Sequence, residues 1–243
     1  MENNTNYVYD NVIQLDDAAA SSRKFIANVF LWMFVALGVS TFAAYSFANT
    51  PSLLQLLVDE STHKLTIFAY IAMFSPLAFV LLIRFGLNSI SYPVLGLLFI
   101  AYAALTGISL SFILLVYTAS SVMSVFLTAS LLFGVMAVAG YTTHQDLTKF
   151  GSIMIMLLFG IIIASVVNFF LHSTGLDLII SYVGVAVFVG LTAYDVQKLK
   201  RIGAGLEYGD ASAKKYALMG GLTLYLDFIN LFLMLLRVFG RRR

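Results

Sequence analysis

Seven apolar runs follow one another along the chain, with short polar connections between them. The runs cover residues 25–48, 65–84, 93–117, 122–141, 152–171, 178–195 and 215–238. A membrane-spanning α-helix needs about 20 apolar residues, so the pattern predicts seven transmembrane helices. The first run is too long for the apolar core of a signal peptide, and the acidic segment before it lacks a basic start. We therefore expect the first run to be retained.

The polar residues between and around the runs leave little room for anything except the membrane domain. The longest connection, residues 196–214, is too short for a separate soluble domain. We therefore predict one transmembrane domain over residues 25–239, preceded by a polar cytoplasmic tail of residues 1–24 and followed by a basic tail of residues 240–243.

Composition supports an all-α polytopic membrane protein. Hydrophobic residues make up 60% of the chain and charged residues 11%, whereas soluble domains have about 45–50% and 25%. The net charge of +2 comes from basic residues beside the apolar runs, so we predict no nucleic-acid partner. The chain has no cysteine, which excludes disulfides, iron–sulfur clusters and thiolate zinc sites.

The distribution of basic residues predicts the orientation. If the runs alternate in direction, nine Lys and Arg residues lie on the side of the amino terminus and five on the other. The rule that positive charge stays inside then predicts a multi-pass protein of the cell (inner) membrane with a cytoplasmic amino terminus. Four of the five opposing charges are Arg237 and Arg241 to Arg243, so the charge rule leaves the last crossing open. Residues 222–236 contain neither Pro nor Gly, which favours a straight crossing.

A single carboxylate interrupts the last apolar run. Asp227 lies twelve positions after Lys215 and ten before Arg237, which corresponds to about 18 and 15 Å along a helix. Asp227 is therefore predicted near the middle of the bilayer, where a carboxylate against lipid would cost about 3 kcal/mol. We expect it to face protein or water, and an acid at this depth is a candidate functional residue.

Asp195, at the end of the preceding run, is the predicted partner of Asp227. A count of depth opposes this pairing, because Asp195 lies only three residues before Lys198. The two reach the same depth if the last helix begins above the membrane, within residues 211–220, or if the sixth helix sits lower. We predict that the two carboxyls come within hydrogen-bond or one-water distance in at least one state.

Two carboxylates in contact cannot both ionise cheaply, so the pair is expected to share a proton and titrate in coupled steps. Arg84 ends the second run on the same predicted side as Asp195 and could bridge the ionised pair. Protonation would weaken that bridge, so Asp195, Asp227 and Arg84 form a predicted pH switch. The alternative is that Asp195 only caps its helix and Arg84 is a snorkelling stop signal.

The two aspartates lie in the runs TAYDVQKLK of the sixth segment and LYLDFINLFLMLLRVFG of the seventh. These runs resemble the signature helices of the Bax inhibitor-1 (transmembrane Bax inhibitor motif) family, in its bacterial branch, and YAALTGISLSFILLVY in the third segment is also similar. The resemblance implies six helices wrapped around a central seventh and a pH-sensitive calcium leak gated by an aspartate pair. The pair's counterparts are Asp195 and Asp227, and Arg84 matches the latch arginine. Arg237, a possible secondary charge, resembles the arginine near the end of the family's last helix.

Calcium suits this pair only as a weakly bound ion. It takes six to eight oxygen ligands, and the carboxylates of Asp195 and Asp227 supply at most four. A weak site favours permeation over storage. We expect no cofactor, and the expected partners are the lipid bilayer, Ca²⁺ and protons. Five other polar side chains could line a wet path or bond neighbouring helices, namely Thr106, Ser109, Ser111, Asn168 and Asn230.

Other functions fit parts of the sequence less well. Intramembrane aspartyl proteases also pair aspartates on consecutive helices, but LYLD stands here where they carry Gly-x-Gly-Asp, and no Pro follows Asp195. The sequence lacks the Gly-x-Ser-x-Gly elbow of serine hydrolases. Its histidines, His63, His144 and His172, lie in connections or at span ends. We therefore expect no enzyme. The alternative that the resemblance implies is a non-enzymatic regulator that binds a membrane-anchored ATP-dependent protease, with the polar tail as its contact.

Overall fold

The computed structural model describes residues 5–59, 64–86, 90–206 and 211–243, with the side chains of 5–19, 76–77, 83–86 and 211 excepted. This part of the chain is α-helical, with two isolated pairs of β-bridge residues. The helices are α1 Thr5–Asn49, α2 Pro51–Leu54, α3 Ile67–Gly86, α4 Tyr92–Val116, α5 Ala119–Thr142, α6 Thr148–Leu171, α7 Thr174–Ala204 and α8 Ala211–Phe239.

Six of these helices are long and apolar enough to cross a membrane, namely α1 and α4 to α8, and the apolar part of α3 is a shorter seventh, Ile67–Leu82. The prediction of an all-α polytopic membrane protein is confirmed. Several helices extend past the predicted runs: α1 begins at Thr5, inside the predicted tail, and α7 continues nine residues beyond Asp195. The reason is that hydropathy marks the stretch in the bilayer, whereas a helix ends at a capping residue, here Gly205 for α7.

Burial differs strongly among the spanning helices. In the most apolar stretch of α8, 56% of the residues are buried inside the protein, against 6% in α6. Helix α8 packs against α1, α4, α5 and α7, while α6 packs against α7 and α3 against α4. The largest buried side chains of α8, Leu218, Leu222, Leu224, Tyr225, Leu231 and Leu236, lie in this core. An arrangement of six helices around α8 stays a prediction.

Glycines allow two pairs of helices to approach closely. A Cβ atom at Gly140 of α5 would overlap the backbone carbonyl of Ala193 in α7. A Cβ atom at Gly107 of α4 would likewise overlap the backbone of Ser40 in α1. Small residues at such crossings let helices pack backbone to backbone inside a membrane. The contact at Gly140 fixes the position of α7 two residues before Asp195.

A buried hydroxyl network ties α8 to α1 and α4. The Tyr225 hydroxyl lies 2.7 Å from Ser40 Oγ, and Ser40 donates to the carbonyl oxygen of Ala103 at 2.7 Å. The Tyr225 ring also packs edge-to-face against Phe99 and Tyr102. These bonds satisfy polar groups that have no access to water at this depth.

The end of α8 meets the connection between α4 and α5. The amide of Thr118 donates to the carbonyl of Arg241 at 3.1 Å, and the amide of Arg243 donates to the carbonyl of Val116 at 2.9 Å. Helix α8 therefore runs from the end of the bundle where α7 finishes to the end where α4 finishes. The last helix therefore runs the length of the bundle, and the side of the membrane on which it ends stays a prediction.

Candidate functional site

Helices α7 and α8 carry the two aspartates and bring them into contact. The two helices are antiparallel, because Gly184 near the start of α7 lies against Met234 near the end of α8, and Leu199 lies against Gly220. Asp227 is 6% exposed, and its carboxyl makes a side-chain hydrogen bond with Asp195. The carboxylate of Asp227 therefore faces the interior of the bundle and not lipid.

The direction of the side chains explains how the two aspartates meet in spite of their difference in depth. From the contact between Gly184 and Met234, Asp195 lies eleven residues along α7, but Asp227 lies only seven residues back along α8. This offset of four residues corresponds to about 6 Å. Because Cβ atoms tilt toward the amino terminus of their own helix, side chains on antiparallel helices lean in opposite directions. Here the two aspartates lean toward each other.

The hydrogen bonding of the pair is incomplete. Asp227 Oδ2 is buried and has no hydrogen-bond partner among the described residues. Two carboxyls can hydrogen bond to each other only when one of them holds a proton, because ionised carboxylates only accept. The arrangement can therefore hold one proton, release it, and present carboxylate oxygens to a cation.

Comparison with known proteins places this chain in a family. Residues 22–243 match the family described as "Inhibitor of apoptosis-promoting Bax1", and the chain is 44% identical over 235 residues to the inner membrane protein YbhL of Escherichia coli (strain K12). That similarity covers 96% of this chain and 97% of YbhL. The chain belongs to the Bax inhibitor-1 family. The resemblance and the predicted multi-pass inner-membrane location are both confirmed.

Similar proteins occur in other bacteria. The chain is 43% identical over 230 residues to an uncharacterized protein of Borreliella burgdorferi, covering 91% of this chain and 93% of the relative. It is 39% identical over 221 residues to the uncharacterized protein RP147 of Rickettsia prowazekii, covering 91% of each. These relatives extend the family assignment over nearly the whole chain.

The two arginines proposed from the family resemblance have different outcomes. Arg84 lies within α3, and its side chain is outside the described residues, so its role as a latch stays a prediction. Arg237 forms an ion pair with Asp177, with Nη1 and Oδ1 3.4 Å apart and both side chains 43% exposed. Asp177 lies in the first turn of α7, about 27 Å along the helix from Asp195. Arg237 thus binds a different carboxylate, at the end of the bundle away from the pair.

The other polar residues predicted to line a path mostly bond to the backbone. Ser109 donates to the carbonyl of Ala72 in α3 at 2.6 Å, which is an interhelical bond. Ser111 and Asn230 donate within their own helices, and Asn168 accepts from the backbone of Ser173. Thr106 Oγ1 is buried and lies near the hydroxyls of Tyr102 and Tyr225. The lining of a wet path by this set stays a prediction.

A clamp beside the pair was missed in the sequence analysis. We define it as Gln197, Lys200 and Arg201 of α7 with the end of α5 and the connection to α6, residues 141–147. Gln197 is buried, accepts from the amide of Leu147 at 2.9 Å and donates to the carbonyl of Gln145 at 2.7 Å. Lys200 donates to the carbonyl of Tyr141 at 2.7 Å. The basic residues of segment 198–201 were expected to mark topology and to be alternative candidates for the latch, and their bonds to the connection were not predicted. The polar Gln197, two positions after Asp195, was a signal that could have been used.

Asp146 completes the clamp at the protein surface. Its Oδ1 accepts from the Thr148 hydroxyl at 2.6 Å and the Thr148 amide at 3.0 Å, and it forms an ion pair with Arg201 at 2.9 Å. The two bonds from Thr148, followed by Arg201, lower the pKa of Asp146 from 3.8 to about 2. Asp146 is therefore ionised at any physiological pH.

The described residues set a limit on metal binding. They contain no group of three or more His, Cys, Asp and Glu side chains that could hold a metal ion. A cation at the pair would have the carboxylate oxygens of Asp195 and Asp227 as its only acidic ligands from this part of the chain. Water or backbone carbonyls would have to complete its coordination.

Proposed function

We propose that this protein is a pH-sensitive calcium leak channel of the inner membrane, gated by the pair of Asp195 and Asp227. The observation that carries the proposal is the burial of Asp227 in hydrogen-bond contact with Asp195. Ionisable groups inside a membrane bundle are costly and mark ion pathways and proton relays. We further propose that the other six spanning helices surround α8, which places the pair on the axis of the bundle.

The pair supplies the pH sensitivity. With one proton present, the two carboxyls hydrogen bond and draw α7 and α8 together. When the proton leaves, the two like charges repel, and they attract a cation or a guanidinium instead. The state of this one proton therefore changes both the contact between α7 and α8 and the charge that a cation meets.

The pair also supplies a weak calcium site. Its two carboxylates offer at most four of the six to eight oxygen ligands that Ca²⁺ takes. An ion held in this way is released readily, which conduction requires. The protein then needs neither a resident cofactor nor an enzymatic activity.

Arg84 is the proposed latch. With the amino terminus in the cytoplasm, the carboxyl end of α3 lies on the same side as Asp195, and an ionised pair attracts the guanidinium. That bridge closes the cytoplasmic end, and protonation of one carboxyl releases it. Protonation also removes the charge that attracts calcium, so flux is expected to peak at an intermediate pH.

The test is calcium flux into liposomes that contain only this protein, measured across a pH series. Asp195→Asn and Asp227→Asn keep the size of each side chain, replace one carboxyl oxygen with an NH₂ donor and remove the titration. We expect each variant to lose the pH dependence of the parent. Asp177→Asn is the matched control, because Asp177 is also on α7 but pairs with Arg237 at the other end.

Three outcomes would contradict the proposal. No flux from the parent at any pH would favour the regulator of a membrane-anchored protease, which needs no ion path. Flux in both variants with the parent's pH profile would show that the pair does not gate. Cleavage of a transmembrane peptide by the parent, lost in both variants, would identify an aspartyl protease.

A further inference from the structure

Three consecutive arginines, Arg241 to Arg243, are held in place at the end of α8. The amide of Arg241 donates to Ser121 Oγ at 2.9 Å, and its carbonyl accepts from Thr118. The amide of Arg243 donates to the carbonyl of Val116. All of these contacts use backbone atoms of the arginines. The guanidinium groups take no part in them and are therefore able to bind a ligand.

The guanidinium charges have no acidic partner among the described residues. Among the described arginines, Arg201 pairs with Asp146 and Arg237 pairs with Asp177. Arg242 lies over the ring of Tyr117, 6.0 Å from its centroid. All three arginines are exposed. This end of the bundle therefore carries a fixed cluster of positive charge.

A cavity of about 530 Å³ opens beside this cluster. Its polar wall consists of Arg241 and four hydroxyl residues of α5, Ser120, Ser121, Ser124 and Thr128. Its apolar wall includes Val125 and Leu235, both buried, and the exposed ring of Phe239. Among the described hydrogen bonds, Ser121 Oγ only accepts, so its proton is free to donate to a ligand.

The cavity lies at the boundary of the membrane. It is bordered by the start of α5 and the end of α8, two spanning helices, and Tyr117 follows the end of α4. Tyrosine is typical of the depth of lipid headgroups. A ligand at this position meets cationic and hydroxyl donors on one side and apolar side chains on the other.

We propose that this cavity binds the headgroup of an anionic phospholipid. The phosphate accepts hydrogen bonds from Arg241 and Ser121, the neighbouring arginines contribute attraction, and the first carbons of the acyl chains pack on Val125, Leu235 and Phe239. Guanidinium is suited to phosphate because its fork of N–H donors matches two phosphate oxygens. A free inorganic phosphate would use the polar wall but leave the apolar wall uncovered.

The test is native mass spectrometry of the full chain in detergent, titrated with dioleoylphosphatidylglycerol or with dioleoylphosphatidylcholine. The two lipids have the same acyl chains and differ in net charge. We expect the anionic lipid to bind at least tenfold more tightly. A basic residue near an anionic surface contributes about fivefold in affinity, so Arg241→Gln should weaken binding about fivefold and Arg241→Gln/Arg242→Gln/Arg243→Gln should abolish the preference.

Controls separate this site from general attraction to a basic protein. Lys149→Gln removes an exposed basic side chain at the start of α6, on the opposite end, and should leave the preference unchanged. Ser124→Phe fills the cavity without touching an arginine and should also weaken binding. A preference that survives in the triple variant, or that Lys149→Gln reduces equally, would overturn the proposal. Full displacement of the lipid by millimolar inorganic phosphate would overturn the assignment to a lipid.

Discussion

Two carboxylates of this protein, Asp146 and Asp227, illustrate opposite ways of placing a negative charge. Asp146 lies at the surface with the Thr148 hydroxyl, the Thr148 amide and Arg201 as partners. Asp227 lies in the core with another carboxyl as its partner and with Oδ2 unsatisfied among the described residues. The exposed carboxylate of Asp146, which water could solvate, accepts from three donors in the protein. The buried carboxylate of Asp227 has fewer partners, although it lies away from solvent.

The difference supports the role proposed for the pair of Asp195 and Asp227. A surface carboxylate with three donors stays ionised and serves to hold a connection in place. A buried carboxylate beside another can relieve its position only by taking up a proton or a cation. The incomplete bonding of Asp227 is costly for stability, and such a cost is typical of residues kept for function.

The largest effect is expected from a substitution of Arg84. This arginine is the predicted ion-pair partner of the buried aspartates, as Arg201 is the partner of Asp146. Arg84→Ala should leak calcium in liposomes at pH values where the parent is closed, because nothing then bridges the ionised pair. A bridge worth about 1–3 kcal/mol changes the open population about 5- to 150-fold. The pH dependence that remains should reflect ion binding alone.

Lys64→Ala is a suitable control for Arg84→Ala, because Lys64 lies just before α3, at its other end. An Arg84→Ala protein with the parent's pH profile would show that Arg84 is only a snorkelling stop signal. The latch would then be sought at Lys198 or Lys200 of the basic segment 198–201, since Arg237 is bound to Asp177 and Arg201 to Asp146.

A smaller effect is expected from moving the helix that carries Asp195. Gly140→Ala forces α5 away from Ala193, two residues before Asp195, and overpacking of this kind costs about 1–3 kcal/mol. The variant should unfold at a lower temperature and show an altered pH profile of flux. Gly134→Ala on the same helix meets open space and should be neutral or stabilised by up to about 1 kcal/mol. Equal stability of the two variants would contradict the close contact of α5 and α7.

The smallest effect is expected at the surface carboxylate. The pKa of Asp146 is lowered to about 2, so its contribution to stability is complete above its ordinary value of 3.8 and is lost as the pH falls toward 2. Its charge does not change between about pH 5 and 8. Asp146→Asn should therefore leave the pH profile of flux in that range unchanged. A shifted profile would transfer the pH sensor from the pair to the clamp.

The sequence was sufficient to predict the fold class and to select Asp195 and Asp227 as candidate site residues, because both predictions depend on hydropathy. A bilayer requires about 20 apolar residues per crossing, and a charge inside such a run stands out. Hydropathy also placed Asp195 and Asp227 on consecutive helices. It did not show how far α7 and α8 continue outside the apolar runs. The predicted depth of each aspartate was counted from the ends of those runs, so the depth difference could not be fixed.

The clamp and the basic cavity could not be predicted in the same way. Gln197 bonds to the connection between α5 and α6, about 50 residues earlier, and Arg241 meets Ser121 across 120 positions. Such contacts follow from the packing of helices and leave no periodic pattern. The tilt of Cβ atoms, which closes the distance between the aspartates, becomes relevant only once the helices are known to be antiparallel.

The most direct test of the account is an infrared pH titration of the carboxyl pair in liposomes, with calcium flux measured on the same preparation. Gating by the shared proton predicts a band from one protonated carboxyl that disappears as the pH rises, over the pH range in which flux changes. Asp227→Asn should remove both the band and the pH dependence, and Asp146→Asn should keep both. A band that titrates without any change in flux, or a pH-dependent flux without the band, would contradict gating by the shared proton.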